Sequence, residues 1–217
     1  MIAEVLPPEA QVAIGYARAA DRPTFAAMLE LDRALARAVA GASEPILGQM
    51  RLAWWRDALD AQNGELPQGG PLYDQLVVSF GAQRSQLVRL VDGWEALLLA
   101  DPLDDTAIGA LCEGRVSAWR ATATAINVKY SDDSLAAAAR CWAMADLATN
   151  LPSGPDKTFV LDRASGLQGR PHRLPRNLRP LIILAVLGDR SLKAGGQPML
   201  ADRRSAAIAL RVGMFGR

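Results

Sequence analysis

The chain has 217 residues, enough for one sizeable domain; half are hydrophobic and 22% charged, a balance that points to a large buried core and excludes general disorder. Its 24 basic and 23 acidic residues leave a net charge of +1, which argues against a nucleic-acid binder. Two cysteines without CxxC spacing, Cys112 and Cys141, and a lone histidine, His172, give no basis for a zinc site or a disulfide framework.

In chain order, apolar residues recur at helical spacing over 9–20, 23–40, 45–61, 71–81, 82–100, 105–128, 132–150, 176–190 and 200–213, and no run alternates as a strand does. The punctuation agrees. Asp21-Arg22-Pro23 and Ser43-Glu44-Pro45 read as helix entries, Asn63-Gly64 and Gly69-Gly70-Pro71 as breaks, and Ser131 as a helix cap. The opening "MIAEVLPPEAQ" has no basic stretch of a secretory signal, and the most apolar run, 180–188, is too short to span a bilayer. The stretch 151–175 is rich in glycine, proline and basic residues and reads as an irregular loop. The expectation is an all-α, single-domain helical bundle over 1–217, in a reducing cytoplasmic setting with two inert core thiols.

Four of these helices place one charge on the face they would bury. On a helical wheel the segment "GQMRLAWWRDALD" sets Gln49, Arg56 and Asp60 along one edge, with Leu47, Trp54, Trp55 and Ala58 opposite and Arg51 among them. Asp32 falls within the stripe Phe25, Met28, Leu29, Leu35, and Arg115 within Ile108, Leu111, Cys112, Trp119. Asp146 falls within Leu135, Ala138, Ala139, Trp142, Ala145. Unpaired buried charges cost several kcal/mol, on the order of the idealised desolvation argument after relaxation, so these residues need partners or water. Two readings stay open: an internal salt-bridge cluster, or a polar cavity that binds an anion through Arg51 and Arg115. His172, beside Arg170, Arg173 and Arg176, reads as a solvated loop histidine, and the tryptophans read most simply as core aromatics.

Several segments, in order, carry a resemblance: "MLELDRALARAV", "SEPILGQMRLAWWRDAL", "LVRLVDGWEALL", "GALCEGRVSAW", "WAMADLATNLP" and "RPHRLPRNLRPLIILAVL". Together they resemble the squalene/phytoene synthase family, most closely its bacterial and mitochondrial phytoene-synthase-like members. The resemblance implies an isoprenoid-synthase type of helical fold around a central cavity. Active members join two prenyl diphosphates head to head, using paired aspartates one helical turn apart to hold Mg²⁺. This chain departs from that pattern. Ala36 and Ala40 stand where the first aspartate motif would align, and Asp146 is followed four residues on by Asn150.

The resemblance therefore implies diphosphate-binding candidates Asp32, Arg51, Arg115, Asp146 and Asn150, and cavity-lining aromatic candidates Trp54, Trp55 and Trp119. The favoured expectation is a non-catalytic member with an altered cavity and a partner- or lipid-related role such as assembly, the mitochondrial branch being associated with respiratory complex I assembly. The alternatives are an active Mg²⁺-dependent prenyltransferase and an unrelated helical interaction module. Mg²⁺ belongs only to the active alternative. The expected partners are a protein or a prenyl- or lipid-like ligand, with no nucleic acid and no transmembrane segment. The expected location is cytoplasmic, with a peripheral seat at the membrane as a further option.

Overall fold

Proline in the first turn recurs as the start signal of this chain's helices, since it lacks an N–H that would go unpaired there. It stands in the first turn of six of the ten α-helices among the described residues of a computed structural model, which describes residues 6–42, 44–61, 70–167 and 173–216. The described residues contain helices and turns and no strand. They pack as two compact units, the first drawn from residues 23–127 with Leu6, the second from 7–22 and 128 onward. No described helix is long and apolar enough to cross a membrane.

The first unit holds α2 (Arg22–Ala40, entering from the other unit by one residue), α3 (Pro45–Asp60), α4 (Gly70–Phe80), a 3-10 segment (Gly81–Leu87), α5 (Val88–Leu99) and α6 (Asp105–Ala125). The α5–α6 pair is its most extensive contact, and two glycines explain why. A methyl on Gly93 would lie 2.8 Å from the carbonyl oxygen of Ala110, and one on Gly114 would lie 2.5 Å from that of Arg89. Each glycine lets the opposite backbone approach where no side chain would fit. Asp104 caps α6, its carboxylate accepting from the Ala107 N–H at 2.8 Å.

The second unit is built around α9 (Arg179–Lys193), whose "PLIILAVLG" run is buried nearly all round. Against it pack α7 (Asp132–Asn150), α1 (Pro8–Gly15) and α10 (Arg203–Phe215), while α8 (Pro155–Ala164) packs on α7. Gly188 faces Cys141 and Ala145 of α7, again a close backbone approach. Arg179 reaches from the start of α9 to the carbonyls of Gly213 and Met214, at 2.8 and 3.1 Å, and so satisfies the last turn of α10.

Two expectations need correction. Residues 151–175 are not a continuous loop, because α8 and a short 3-10 turn (Ser165–Leu167) occupy 155–167. Pro155 starts that helix, and Val160 and Ala164, one turn apart, anchor it by burial. Ser131 does occupy the position before α7, but its hydroxyl makes no capping hydrogen bond.

Candidate functional site

Asp32 on α2 and Arg115 on α6 meet in the interior of the first unit. The guanidinium is 1% exposed and grips the carboxylate with two parallel bonds, Nε to Oδ1 at 3.1 Å and Nη2 to Oδ2 at 2.9 Å. Trp94 of α5 completes the group. Its indole N–H donates to Asp32 Oδ1 at 2.8 Å, and Arg115 lies 5.2 Å from its ring centroid. The positions follow from the glycines, since Gly93 and Gly114 bring α5 and α6 together one residue before Trp94 and Arg115. A bidentate pair with a third donor is the arrangement that offsets the desolvation of two buried charges. Trp94 was not singled out by the helical wheels; the usable signal is that a buried indole N–H needs an acceptor.

Arg51 lies elsewhere. The wheel placed it among the buried residues of α3, whereas it is exposed, as are Leu47 and Trp54. The buried face of α3 is set instead by Gly48, Leu52, Ala58 and Leu59. Gly48 sits so close to Leu98 of α5 that a methyl there would clash with its Cδ2 at 2.7 Å. On the polar edge, half-buried Arg56 reaches α5 and bonds Asp92 and Glu95, each at 2.7 Å, while Asp60 is exposed. These hydrogen bonds raise the Arg56 pKa further. Ala58 is buried as the wheel has it, and the departure of Leu47, Arg51 and Trp54 has a physical reason: tryptophan tolerates a half-wet surface, so two adjacent tryptophans do not mark a buried face.

The tryptophans and Arg51 line an open groove of about 450 Å³ between α2 and α3, with Ala34, Arg37, Ala38 and Met50 as its other walls. Trp54 and Trp55 pack edge to face, with centroids 4.8 Å apart. Trp119 is separate from them. It is fully buried and packs against Phe25 at 5.9 Å, a core residue of the first unit.

Asp146 belongs to the second unit and is half-buried near the end of α7. The side-chain amide of exposed Asn150 donates to its carbonyl at 2.8 Å and its carboxylate at 3.2 Å, tying the last turn of α7 together. Both thiols are buried, and burial pushes that of Cys141 up to about 12, which keeps it protonated and unreactive. Arg173 and Arg176 are exposed, while His172 and Arg170 lie outside the described residues. Comparison of the chain with protein-family models, with curated proteins and with solved structures finds no match.

Proposed function

We propose that this chain is a squalene/phytoene synthase-like helical protein, of the isoprenoid-synthase fold type, that acts by binding rather than by catalysis. The observation that carries this reading is the commitment of Asp32. Both its oxygens are taken by Arg115, and one also accepts from Trp94. A carboxylate held this way serves the core of its own unit and is not presented to a metal–diphosphate complex.

The donor set does not fit the Mg²⁺ that the resemblance implies. Mg²⁺ needs several hard oxygens converging on one point. Position 36, one turn after Asp32, is alanine, and the residue one turn after Asp146 is an asparagine whose amide already serves that turn. Among the described residues no three His, Cys, Asp or Glu side chains gather as a ligand set. What the arrangement supports is a scaffold with a partner- or lipid-related role.

Incubation with farnesyl or geranylgeranyl diphosphate and Mg²⁺ tests the reading. Pyrophosphate release no higher than that of heat-inactivated protein is expected. Sustained release above that level overturns it in favour of an active prenyltransferase. A thermal-shift series with the same diphosphates then distinguishes a lipid-binding scaffold, which they stabilise, from one that serves a protein partner.

A further inference from the structure

The outward face of α10 breaks a local rule. Arg203 and Arg204 open the helix, where the positive end of the backbone dipole disfavours cations. Neither they nor Arg211 has an ion-pair partner among the described residues. The acids of the cap and of the helices packed on α10 are engaged or half-buried: Asp202 bonds Arg190 and the Ser205 N–H, Asp189 bonds Lys193, and Glu9 of α1 is half-buried. Charges that cost helix stability and gain nothing within the chain point to a partner. The same face leaves large apolar side chains in water, Leu210, Met214 and Phe215 being 51%, 50% and 67% exposed. The buried side of α10 is Ser205, Ala209, Val212 and Gly213. At about 100° per residue, Ala207 and Met214 hold the opposite direction, with Arg203 and Leu210 on one flank and Arg204, Arg211 and Phe215 on the other.

Charge and shape select the occupant. A second copy would set arginine against arginine, because α10 carries no acid between Arg203 and Phe215. A bilayer takes bulky apolar side chains along the whole length of a helix, whereas the first half of this face offers only arginine and alanine. Exposed Ala206 and Ala207 instead let another helix approach closely. We propose that the outward face of α10 docks an amphipathic helix of a partner protein, its apolar stripe on Ala207, Leu210 and Met214 and its flanking carboxylates on Arg203, Arg204 and Arg211. From Arg203 to Met214 the face runs roughly 16 Å, about three turns of such a helix. This goes beyond the non-catalytic reading and does not rest on it, since α10 belongs to the second unit and Asp32 and Arg115 to the first.

Photo-crosslinking tests the proposal, with p-benzoylphenylalanine in place of Ala207 in the full chain, made in the cells that naturally express it. The cross-linked peptide, mapped by mass spectrometry, is expected to come from another protein and to carry carboxylates beside an apolar helical stripe. The same probe in place of Val78, an exposed apolar residue of α4, should not give that adduct. Arg204→Glu, added to the Ala207 probe, should cut the yield about fivefold, as reversal of one charge in a complementary contact does. That change also puts an acid in the first turn of the helix, so the melting temperature should hold or rise while the adduct is lost. If the Arg204→Glu chain melts early, Arg211→Glu takes its place and is read in the same way. Absence of an adduct, adducts with lipid or with a second copy, a cross-linked segment without carboxylates, the same adduct from Val78, or a yield indifferent to the charge reversal would each overturn the proposal.

Discussion

At the scale of single residues, the buried group of Asp32, Arg115 and Trp94 is held by mutual satisfaction, so its members are worth more together than apart. Arg115→Met removes the bidentate partner and leaves a buried carboxylate without its counter-charge. The expected cost is about 3–5 kcal/mol, the range for breaking a buried pair from one side. Asp32→Leu combined with Arg115→Met removes both charges and should recover most of that loss. Urea unfolding of the two single variants and the double variant measures the coupling; additive losses would mean that the two side chains do not depend on each other. The inward direction of Asp32 and Arg115 was legible in the sequence because both sit mid-way along helices of 19 and 21 residues, with several aliphatic residues defining the face. Arg51 was not legible, because its helix carries tryptophans on the wet side and only Leu52 and Leu59, seven residues apart, to mark the dry one.

At the scale of helices, small residues decide which faces meet. Gly114→Ala is the clearest case, because two effects oppose each other and their sizes differ. Alanine favours an isolated helix over glycine by about 1 kcal/mol. The added methyl meets the backbone of α5, with Arg89 O at 2.5 Å and Leu90 Cα at 3.1 Å, and backbone cannot swing aside as a flexible side chain can. Overpacking costs about 1–3 kcal/mol, and a clash with backbone belongs at the upper end. Steric crowding wins, and the net expectation is a loss of about 2 kcal/mol by chemical denaturation. A variant as stable as the parent would show that α5 and α6 are not held at glycine distance.

The cap of α10 gives a pH signature. The Asp202 carboxylate accepts from the Ser205 N–H at 2.8 Å, while the Ser205 hydroxyl reciprocates to the Asp202 N–H at 3.1 Å. The backbone bond to Ser205, with help from its hydroxyl and from Arg190, holds the Asp202 pKa below the ordinary carboxylate value. Because the folded value is the lower one, the capping contribution is complete above the unfolded pKa and fades as pH falls through the folded one. The melting-temperature gap between the parent and Asp202→Ala should be constant near neutral pH and close below about pH 4. A gap that persists in strong acid would mean that the ionised carboxylate is not what caps the helix. This cap and α8 were both missed by periodicity: the first because Asp202-Arg203-Arg204-Ser205 puts two arginines where a helix start favours acids, the second because a ten-residue helix with two buried residues scarcely repeats.

For the whole molecule, the all-helical class was legible from periodicity and proline placement, but the division of the chain was not. Periodicity reports which face of a helix is dry and carries no information on which helices share a core. Here the second unit takes α1 from one end of the chain and α7–α10 from the other, with residues 23–127 between them. Its contact between α1 and α9 therefore closes a loop of roughly a hundred residues. While the first unit is folded, that segment is not a flexible chain. Once it unfolds, closing a flexible loop of that length costs on the order of 4 kcal/mol, a large share of the total stability of a typical domain. The second unit should consequently not outlast the first with α1 in place. Pulse-labelling hydrogen exchange along a urea series is expected to show peptides of α1 and α6 losing protection at the same midpoint. Protection of α1 that survives the loss of α6 would mean that the docking of α1 on α9 is strong enough to close the loop unaided.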